Sequence, residues 1–233
     1  MKVGYPRLFL PTIFCVLAAA QPGQDATGTR QLYYLGPEAP AGKTAPSSQP
    51  ASRHLGLRYN IVLIHDKSKD EEISSSHVLK EGDCFAIDLQ TNHAGYLYVL
   101  AKQSSGAWLP LFPSPDMAGQ SNQIDPFTRV RVPSGYCFTV HKPAGKETLF
   151  VVFSRDKKDF FELYENVKNK HESQLADSTV EHWNQQFGST RDILVTRIAE
   201  PVKKDEPRGA VYVVNTSDKL SSNLVTKIEI VHR

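Results

Sequence analysis

Two cysteines, Cys84 and Cys137, are the residues best suited to nucleophilic chemistry. A cysteine beside a histidine can act as a catalytic nucleophile, and His93 and His141 are the available partners. Neither cysteine, however, falls at a predicted helix N-terminus or in a basic stretch that would lower the pKa of its thiol. The sequence therefore favours a structural role for both cysteines.

Histidines and carboxylates offer two further kinds of site. His171, Glu172 and His182 fall on two predicted helices and could converge on a metal ion, but a hydrated helix face explains them more simply. The zinc spacings His-Glu-x-x-His and Cys-x-x-Cys and the glycine-rich nucleotide loops are absent from the sequence. The acidic run Asp70–Glu72 stands among lysines and reads as a solvated loop. We expect no metal and no cofactor.

Aromatic side chains supply the remaining candidate site. Tyr96, Tyr98, Trp108 and Phe112 cluster along one predicted hairpin. Exposed aromatic rings can bind sugars or peptides, although rings on strands are more often part of the core. We keep these four as a candidate aromatic binding patch, with the core as the favoured alternative.

Ten strands would position these residues. Short apolar runs separated by turn residues are typical of an antiparallel sandwich. The predicted strands are Leu57–His65, Cys84–Thr91, Tyr96–Lys102, Trp108–Phe112, Arg129–Val132, Tyr136–His141, Thr148–Ser154, Ile193–Ile198, Ala210–Asn215 and Leu224–His232.

Hydrophobic alternation divides the strands into two classes. In Cys84–Thr91 one face is apolar and the other is mixed, which indicates one hydrated face. Three strands lack a polar face and must be covered on both sides. These are Tyr96–Leu100, Leu149–Phe153 and Val211–Val214. Asp156–Lys170 and Ser178–Phe187 have the helical spacing to cover them, the alternative being contact with another protein molecule. We expect a mainly β, immunoglobulin-like antiparallel β-sandwich with two helices covering one sheet.

The N-terminal region predicts export. Residues 1–20 resemble a signal peptide: a short basic lead precedes the apolar stretch Leu8–Ala20, which ends in small residues. This stretch is shorter than the roughly 20 residues that span a bilayer, and we expect no transmembrane segment after cleavage. Lipidation at Cys15 is a less favoured alternative, since Phe14 precedes it. The expected location is periplasmic or extracellular.

The rest of the chain divides into a linker and a domain. Residues 21–54 are rich in Pro, Ala, Gly and Ser and predict a flexible linker, the alternative being that the island Leu32–Leu35 docks. Residues 55–233 form one β-sandwich domain. The formal net charge is only +2, and the basic residues are spread along the chain without forming a stripe. Nucleic acid is therefore not an expected partner. The oligomeric state is not indicated.

Strand phase and export together bear on the cysteines. Cys84 and Cys137 both fall on the polar phase of strands that would be neighbours in an immunoglobulin-like sheet. A disulfide would form if their Cα atoms lie within about 7 Å; the alternative is two unpaired thiols. An oxidising compartment favours the bridge.

Several motifs resemble a known family. Gly82-Asp83, Gly95-Tyr96-Leu97-Tyr98 and Leu111-Phe112-Pro113-Ser114, with the later strand Ala210–Asn215, resemble a bacterial exported family catalogued as domain of unknown function 4384. The resemblance would cover Leu55–Arg233. It implies an accessory module of exported or envelope-associated proteins, sometimes joined to caspase-like peptidase or kinase domains. It supplies no catalytic residues.

We therefore expect a non-enzymatic exported binding or adaptor module of the bacterial cell envelope. Its partner would be a protein or an envelope polymer, bound at a sheet edge or in the region Leu111–Pro133. The alternative is a hydrolase or glycan-processing enzyme with a site built from loops. A pocket holding two or more titratable side chains with strongly shifted pKa values would favour that enzyme.

Overall fold

The computed structural model describes residues 25–34, 54–65, 69–102, 106–113, 121–157, 175–187, 192–198, 208–217 and 219–233. These residues contain two helices and twelve strands. The helices are α1 (Asp25–Tyr34) and α2 (Asp177–Phe187). The strands are β1 (Leu55–Leu63), β2 (Glu71–Ile73), β3 (Cys84–Thr91), β4 (Gly95–Lys102), β5 (Trp108–Phe112), β6 (Gln123–Ile124), β7 (Val130–Val132), β8 (Phe138–Thr139), β9 (Gly145–Ser154), β10 (Ile193–Arg197), β11 (Val211–Asn215) and β12 (Leu224–His232).

The strands form two antiparallel sheets packed face to face. The larger sheet has the order β10-β11-β1-β3-β7, and β2 and β8 pair with β1 and β3. The smaller sheet has the order β12-β9-β4-β5, and β6 pairs with β4. This arrangement confirms the predicted mainly β antiparallel sandwich. Every predicted strand overlaps an observed one, while β2 and β6 were not predicted.

The main core lies between the two sheets. Side chains alternate along each strand, so every second residue faces the opposite sheet. The larger sheet contributes, among others, Tyr59, Ile61 and Ile87, and the smaller sheet contributes Val99 and Phe153. All five are at most 5% exposed. The alternation seen in the sequence therefore specifies which face of each sheet is buried.

Helix α2 covers the outer face of the smaller sheet. Val180 and Trp183 pack against Tyr98, Phe150 and Val152, which belong to two of the strands without a polar face. This agrees with the cover predicted for Ser178–Phe187. Of the other predicted covering segment, Asp156–Lys170, only positions 156 and 157 belong to the described residues.

Helix α1 covers the outer face of the larger sheet, at a position for which the sequence predicted no helix. The third doubly apolar strand, Val211–Val214, belongs to this sheet, and its residues Tyr212 and Val214 pack against Tyr33 of α1. The two described helices therefore lie one on each sheet. Tyr33 buries its whole ring against this strand. This contact agrees with the alternative in which the island Leu32–Leu35 docks, while the flexible linker over the rest of residues 21–54 stays a prediction.

Gly56 of β1 and Asn92, which directly follows β3, fix how closely α1 approaches. The amide Nδ2 of Asn92 donates to the Tyr33 carbonyl at 3.2 Å, and its Oδ1 accepts from the Gly56 backbone N–H at 2.6 Å. A Cβ atom on Gly56 would lie 2.7 Å from Cδ2 of Tyr33. Glycine is therefore required at position 56 for the helix to dock at this distance.

Candidate functional site

The candidate site is built around a buried carboxylate on the outer face of β3. Asp88 alternates with Ile87 and Leu89, which face the core, so its own side chain points outward. We predicted that this face is hydrated, yet Asp88 is only 3% exposed. A buried charge is costly unless it is paired, so the partners of Asp88 define the site.

Arg131 of β7 is the main partner of Asp88. The two residues are directly opposite in the strand register. Arg131 donates from Nε to Oδ1 at 2.8 Å and from Nη2 to Oδ2 at 3.1 Å, while its Nη1 donates to Asp70 Oδ2 at 2.7 Å. Hydrogen bonds to Asp88, and then to Asp70, raise the pKa of Arg131 against the opposing effect of burial. Arg131 is thus fixed as a cation between two carboxylates.

Arg129 is held much more loosely. Its Nε lies 3.5 Å from Asp88 Oδ2, and its Nη2 lies 3.8 Å from Glu72 Oε1. Its side chain is 56% exposed. The other carboxylate oxygen of Glu72, Oε2, accepts a hydrogen bond from the Arg208 backbone N–H at 2.8 Å. An incoming group can therefore engage the guanidinium of Arg129 at less cost to the surrounding ion pairs than that of Arg131.

These residues line an open cavity of about 820 Å³ on the larger sheet, which we call the charged cavity. Its volume lies within the roughly 300–1,000 Å³ typical of ligand sites. Its lining holds four basic and four acidic side chains together with His65, whose Nε2 lies 3.7 Å from Glu71 Oε2. The basic residues are Lys69, Arg129, Arg131 and Arg208, and the acidic ones are Asp70, Glu71, Glu72 and Asp88. The cavity therefore presents both signs of charge.

The backbone leading to the two arginines is held by α1. Phe127, two residues before Arg129, has a φ of 58° and donates its backbone N–H to the Thr91 carbonyl at 2.7 Å. The rings of Tyr33 and Tyr34 pack against the Phe127 ring with centroids 5.8 and 6.4 Å apart. Helix α1 thus supports the turn from which Arg129 and Arg131 emerge.

The predicted aromatic patch is not a surface. Tyr98 and Trp108 are 0% and 2% exposed and pack beneath α2, where the half-buried Tyr96 joins them. Phe112 is 5% exposed and lies on the other side of the sheet, in the core between the sheets. Helix α2 covers the face on which Tyr96, Tyr98 and Trp108 lie, and the opposite sheet covers Phe112.

The two cysteines form the predicted disulfide. The Cα atoms of Cys84 and Cys137 are 5.6 Å apart. The pairing of β3 with β8 places Cys84 opposite Thr139. Cys137 precedes Thr139 by two residues, so this pairing brings the two cysteines close together. A disulfide removes both thiols from the nucleophilic chemistry considered above. Of the residues proposed for a metal, His182 is exposed on α2, and His171 and Glu172 lie outside the described residues.

Sequence reasoning missed the residues of the charged cavity. Asp70–Glu72 was interpreted as a solvated loop, but Glu71–Ile73 is strand β2, anchored by Ile73, which is 5% exposed. A signal was available in the alternation Arg129-Val130-Arg131-Val132, which places two arginines on one face of a strand. That pattern is compatible with an acidic neighbour, and Asp88 is the acidic residue in the polar phase of β3.

The described ranges contain neither a metal-binding cluster nor a membrane-spanning helix. No group of three or more His, Cys, Asp or Glu side chains within the described ranges is arranged to hold a metal ion. No helix among those ranges combines the length and the apolar character needed to cross a membrane.

The fold and the charged cavity define a two-sheet β-sandwich domain with a polar site on the outer face of one sheet. Residues 78–157 match the model of a family described as Domain of unknown function (DUF4384). The family resemblance predicted from the motifs is therefore confirmed over this segment, which is shorter than the Leu55–Arg233 expected. The matched segment, residues 78–157, includes Asp88, Arg129 and Arg131. Comparison with the curated proteins gave no match, and neither did comparison with the solved structures.

Proposed function

We propose that this protein is a non-enzymatic binding or adaptor module, exported to the cell envelope, and that the charged cavity binds a segment of a partner protein. The observation that carries the proposal is the burial of Asp88 between Arg131 and Arg129 at the base of an open cavity. Such an ionic arrangement is expensive for stability alone, because apolar residues would pack the same sheet face at lower cost. Sites that break the folding rules in this way are often functional.

The balance of charge favours a protein partner over an envelope polymer. A polyanionic polymer is best bound by a surface with an excess of positive charge. The lining of the charged cavity instead holds equal numbers of basic and acidic side chains. A polypeptide segment that carries both acidic and basic residues is the complementary ligand.

The contacts of the carboxylates support binding rather than catalysis. A general acid or base must exchange a proton with its substrate. Asp88 and Asp70 instead accept short hydrogen bonds from Arg131, a group fixed in its charged form. For Asp88 or Asp70 to act as the acid or base of a hydrolase or glycan-processing enzyme, the carboxylate would have to leave these contacts during each reaction.

Two observations support export. The Cys84–Cys137 disulfide suits an oxidising compartment. The sequence of residues 1–20 has the pattern of a cleaved signal peptide. A module secreted in this way would meet its partner in the periplasm or outside the cell.

The test compares capture by the wild-type chain and by two variants. The mature chain, residues 21–233, is immobilised and incubated with envelope extract, and retained proteins are quantified by mass spectrometry. Arg129→Ala removes the loosely held guanidinium. Lys146→Ala is the matched control, because Lys146 is similarly exposed at 59% and forms an ion pair with Glu229 on the smaller sheet. The partner should be retained by the wild type and by the control.

Binding of that partner to the Arg129→Ala variant should be weaker by at least about tenfold, which corresponds to about 1.4 kcal/mol. A peptide from the captured protein, titrated by calorimetry against all three chains, should reproduce the same order. Equal binding to the three chains would contradict the proposal, and so would selective retention of a carbohydrate polymer. Turnover of an envelope polymer that is lost in Arg129→Ala would favour the enzyme instead.

A further inference from the structure

The larger sheet ends at β10, which pairs with β11 on one side and has no strand on its other side among the described residues. Just past β10, the Ile198 N–H donates to the Ala210 carbonyl at 2.8 Å, so the even-numbered residues of this segment turn their backbone groups toward β11. The N–H and C=O groups of Ile193, Val195 and Arg197 therefore point away from the sheet. Such a row of backbone groups can pair with another strand.

Two apolar side chains of β10 are exposed, one on each face of the sheet. Leu194 is 43% exposed and shares the outer face with Ile198, which belongs to the cluster beneath α1. Val195 is 46% exposed and shares the inner face with Ile193, which packs against the main core. An edge strand that is apolar on both faces is prone to pair with another chain.

The other ends of the two sheets carry features that hinder strand pairing. Strand β7 has only three residues and is followed by Pro133. Strand β5 contains Pro110, and β12 carries the exposed charged residues Lys227 and Glu229. Short length, proline and charge are the usual means by which proteins keep sheet edges from pairing. Residues Ile193–Thr196 of β10 contain neither proline nor charge, which singles out this edge as an interface.

Strand β10 is complementary to a second copy of itself. In an antiparallel pair related by a two-fold axis, one residue lies opposite itself. When that residue is Leu194, the two exposed leucines meet on the outer face, at a non-hydrogen-bonded position where opposing side chains are closest. Val195 then lies opposite Ile193 of the second copy, so the exposed side chain on the inner face also gains an apolar neighbour. The outward backbone groups of these two residues pair across the axis.

The neighbouring register is a poorer match. With Val195 opposite itself, the exposed Leu194 would face the polar Thr196, and Ile193 would face the charged Arg197. Cross-strand pairs of apolar residues stabilise a sheet more than such mixed pairs. The side chains of β10 therefore select the register centred on Leu194.

We propose that two copies of this chain associate through β10, with Leu194 opposite its counterpart. This association goes beyond the proposed function and does not depend on it. The two larger sheets then form one continuous sheet with both charged cavities on its outer face. Asp88 and its counterpart are separated by seven inter-strand spacings, or about 34 Å at about 4.8 Å each. The dimer would therefore bind a partner that carries two matching segments bivalently.

The experiment measures the mass of the mature chain, residues 21–233, by analytical ultracentrifugation. One strand pair is a small interface, so the wild type should pass reversibly from monomer to dimer between about 1 and 500 µM. Leu194→Lys and Leu194→Glu should each raise the dimer dissociation constant by at least about tenfold, because like charges then lie opposite each other. An equimolar mixture of the two variants should dimerise again, because opposite charges then meet. Leu220→Lys, at a leucine that is 65% exposed outside β10, should dimerise like the wild type.

Hydrogen exchange provides a test that needs no variant. The Val195 amide points away from the sheet and should exchange more slowly as the protein concentration rises. The Leu194 amide points toward β11, so its exchange should not depend on concentration.

A wild type that stays monomeric up to the highest concentration overturns the proposal, and so does dimerisation of Leu194→Lys with wild-type affinity. A mixture of the two charged variants that stays monomeric also overturns it, because position 194 is then not opposite itself. If the wild type is monomeric and its Val195 amide is slowed only by an added envelope extract, the occupant of the edge is a strand of another protein instead.

Discussion

The hydroxyl group of Tyr33 donates a hydrogen bond to Oε1 of Gln90 at 3.1 Å and so joins α1 to the outer face of the larger sheet. Gln90 lies two residues from Asp88 on the same face of β3. Its Nε2 donates to the Phe127 carbonyl, just before the two arginines of the charged cavity. Helix α1 and the charged cavity are therefore neighbouring parts of one surface, connected through Gln90 and Phe127.

Removing the Tyr33 ring should destabilise the whole domain. Tyr33 is fully buried against Tyr212 and Phe127, so Tyr33→Ala should lower the free energy of unfolding by about 3 kcal/mol. Urea denaturation measures this change. Tyr136 is 61% exposed, and Tyr136→Ala is the control, with an expected change within about 0.5 kcal/mol. Equal midpoints for Tyr33→Ala and the wild type would show that α1 is not docked in solution.

Two glycine substitutions test the same docking by steric means. A Cβ atom at Gly56 would meet Tyr33 at 2.7 Å, whereas a Cβ atom at Gly28 on α1 would meet nothing within 4 Å. Gly56→Ala should cost about 1–3 kcal/mol and increase hydrogen exchange in α1. Gly28→Ala should stabilise the helix by up to about 1 kcal/mol and slow that exchange. The docked arrangement is refuted if both substitutions change the exchange of α1 in the same direction.

The two arginines that contact Asp88 should differ sharply in their effect on stability. Arg131→Met leaves the buried Asp88 without its bidentate partner and should cost about 3–5 kcal/mol. Arg129→Met removes an exposed side chain at longer distances and should cost no more than about 1 kcal/mol. Chemical denaturation of both variants measures the difference.

A double variant tests whether the Arg131 effect comes from the unpaired charge. Arg131→Met with Asp88→Leu should regain a large part of the stability lost in Arg131→Met, because no buried charge remains. If the double variant is no more stable than Arg131→Met alone, the cost arises from packing rather than from the charge of Asp88.

Loss of the disulfide should lower stability substantially. The bridged residues are 53 positions apart in the chain. In the chain-entropy treatment, opening a loop of this size costs about 4 kcal/mol. Cys84→Ala with Cys137→Ala should therefore unfold at lower urea concentration, and a reductant should affect the wild type but not the double variant. Free alkylation of both thiols in the untreated wild type would contradict the bridge.

Stability in acid should depend on Asp177, at the start of α2. Hydrogen bonds from the Lys102 ammonium group and then from the Trp108 indole lower the pKa of Asp177 in the folded protein. Because the folded pKa is the lower one, this stabilisation is present above the unfolded value of about 3.9 and is lost as the pH falls through the folded value.

The Asp177→Asn variant should therefore be less stable than the wild type near neutral pH, and the difference should shrink below about pH 4. Thermal unfolding between about pH 2 and pH 7 measures both curves. Lys102→Met removes the first of the two donors to Asp177. In that background, Asp177→Asn should lower the stability near neutral pH by less than it does in the wild type. Parallel curves for the wild type and Asp177→Asn would rule out this role for the carboxylate.

The fold could be predicted from the sequence because strand alternation is a local property. The phase of Cys84–Thr91 identified the core-facing residues Phe85, Ile87 and Leu89. The absence of a polar phase in Tyr96–Leu100 and Leu149–Phe153 predicted a covering layer, which α2 supplies. These inferences need only the residues of one strand at a time.

The charged cavity could not be predicted in the same way, because its residues meet only after folding. Asp70, Asp88 and Arg131 come from three separate segments, and their contacts depend on strand register. Helix α1 was missed for a related reason. Its large apolar residues are confined to its last turn, and their burial depends on Tyr212, which is 178 residues away from Tyr34. Local composition contains no information about such a partner.

The Cys84–Cys137 bridge joins two strands of the larger sheet, but the chain between the cysteines passes through β4, β5 and β6 of the smaller sheet. When the chain is stretched from its ends, this closed segment cannot lengthen. At about 3.4 Å per residue, the bridge withholds about 180 Å of contour length. Under mechanical load, the oxidised protein would therefore keep β3 and β7 of the larger sheet and β4, β5 and β6 of the smaller sheet within one covalent ring while the strands outside it peel away.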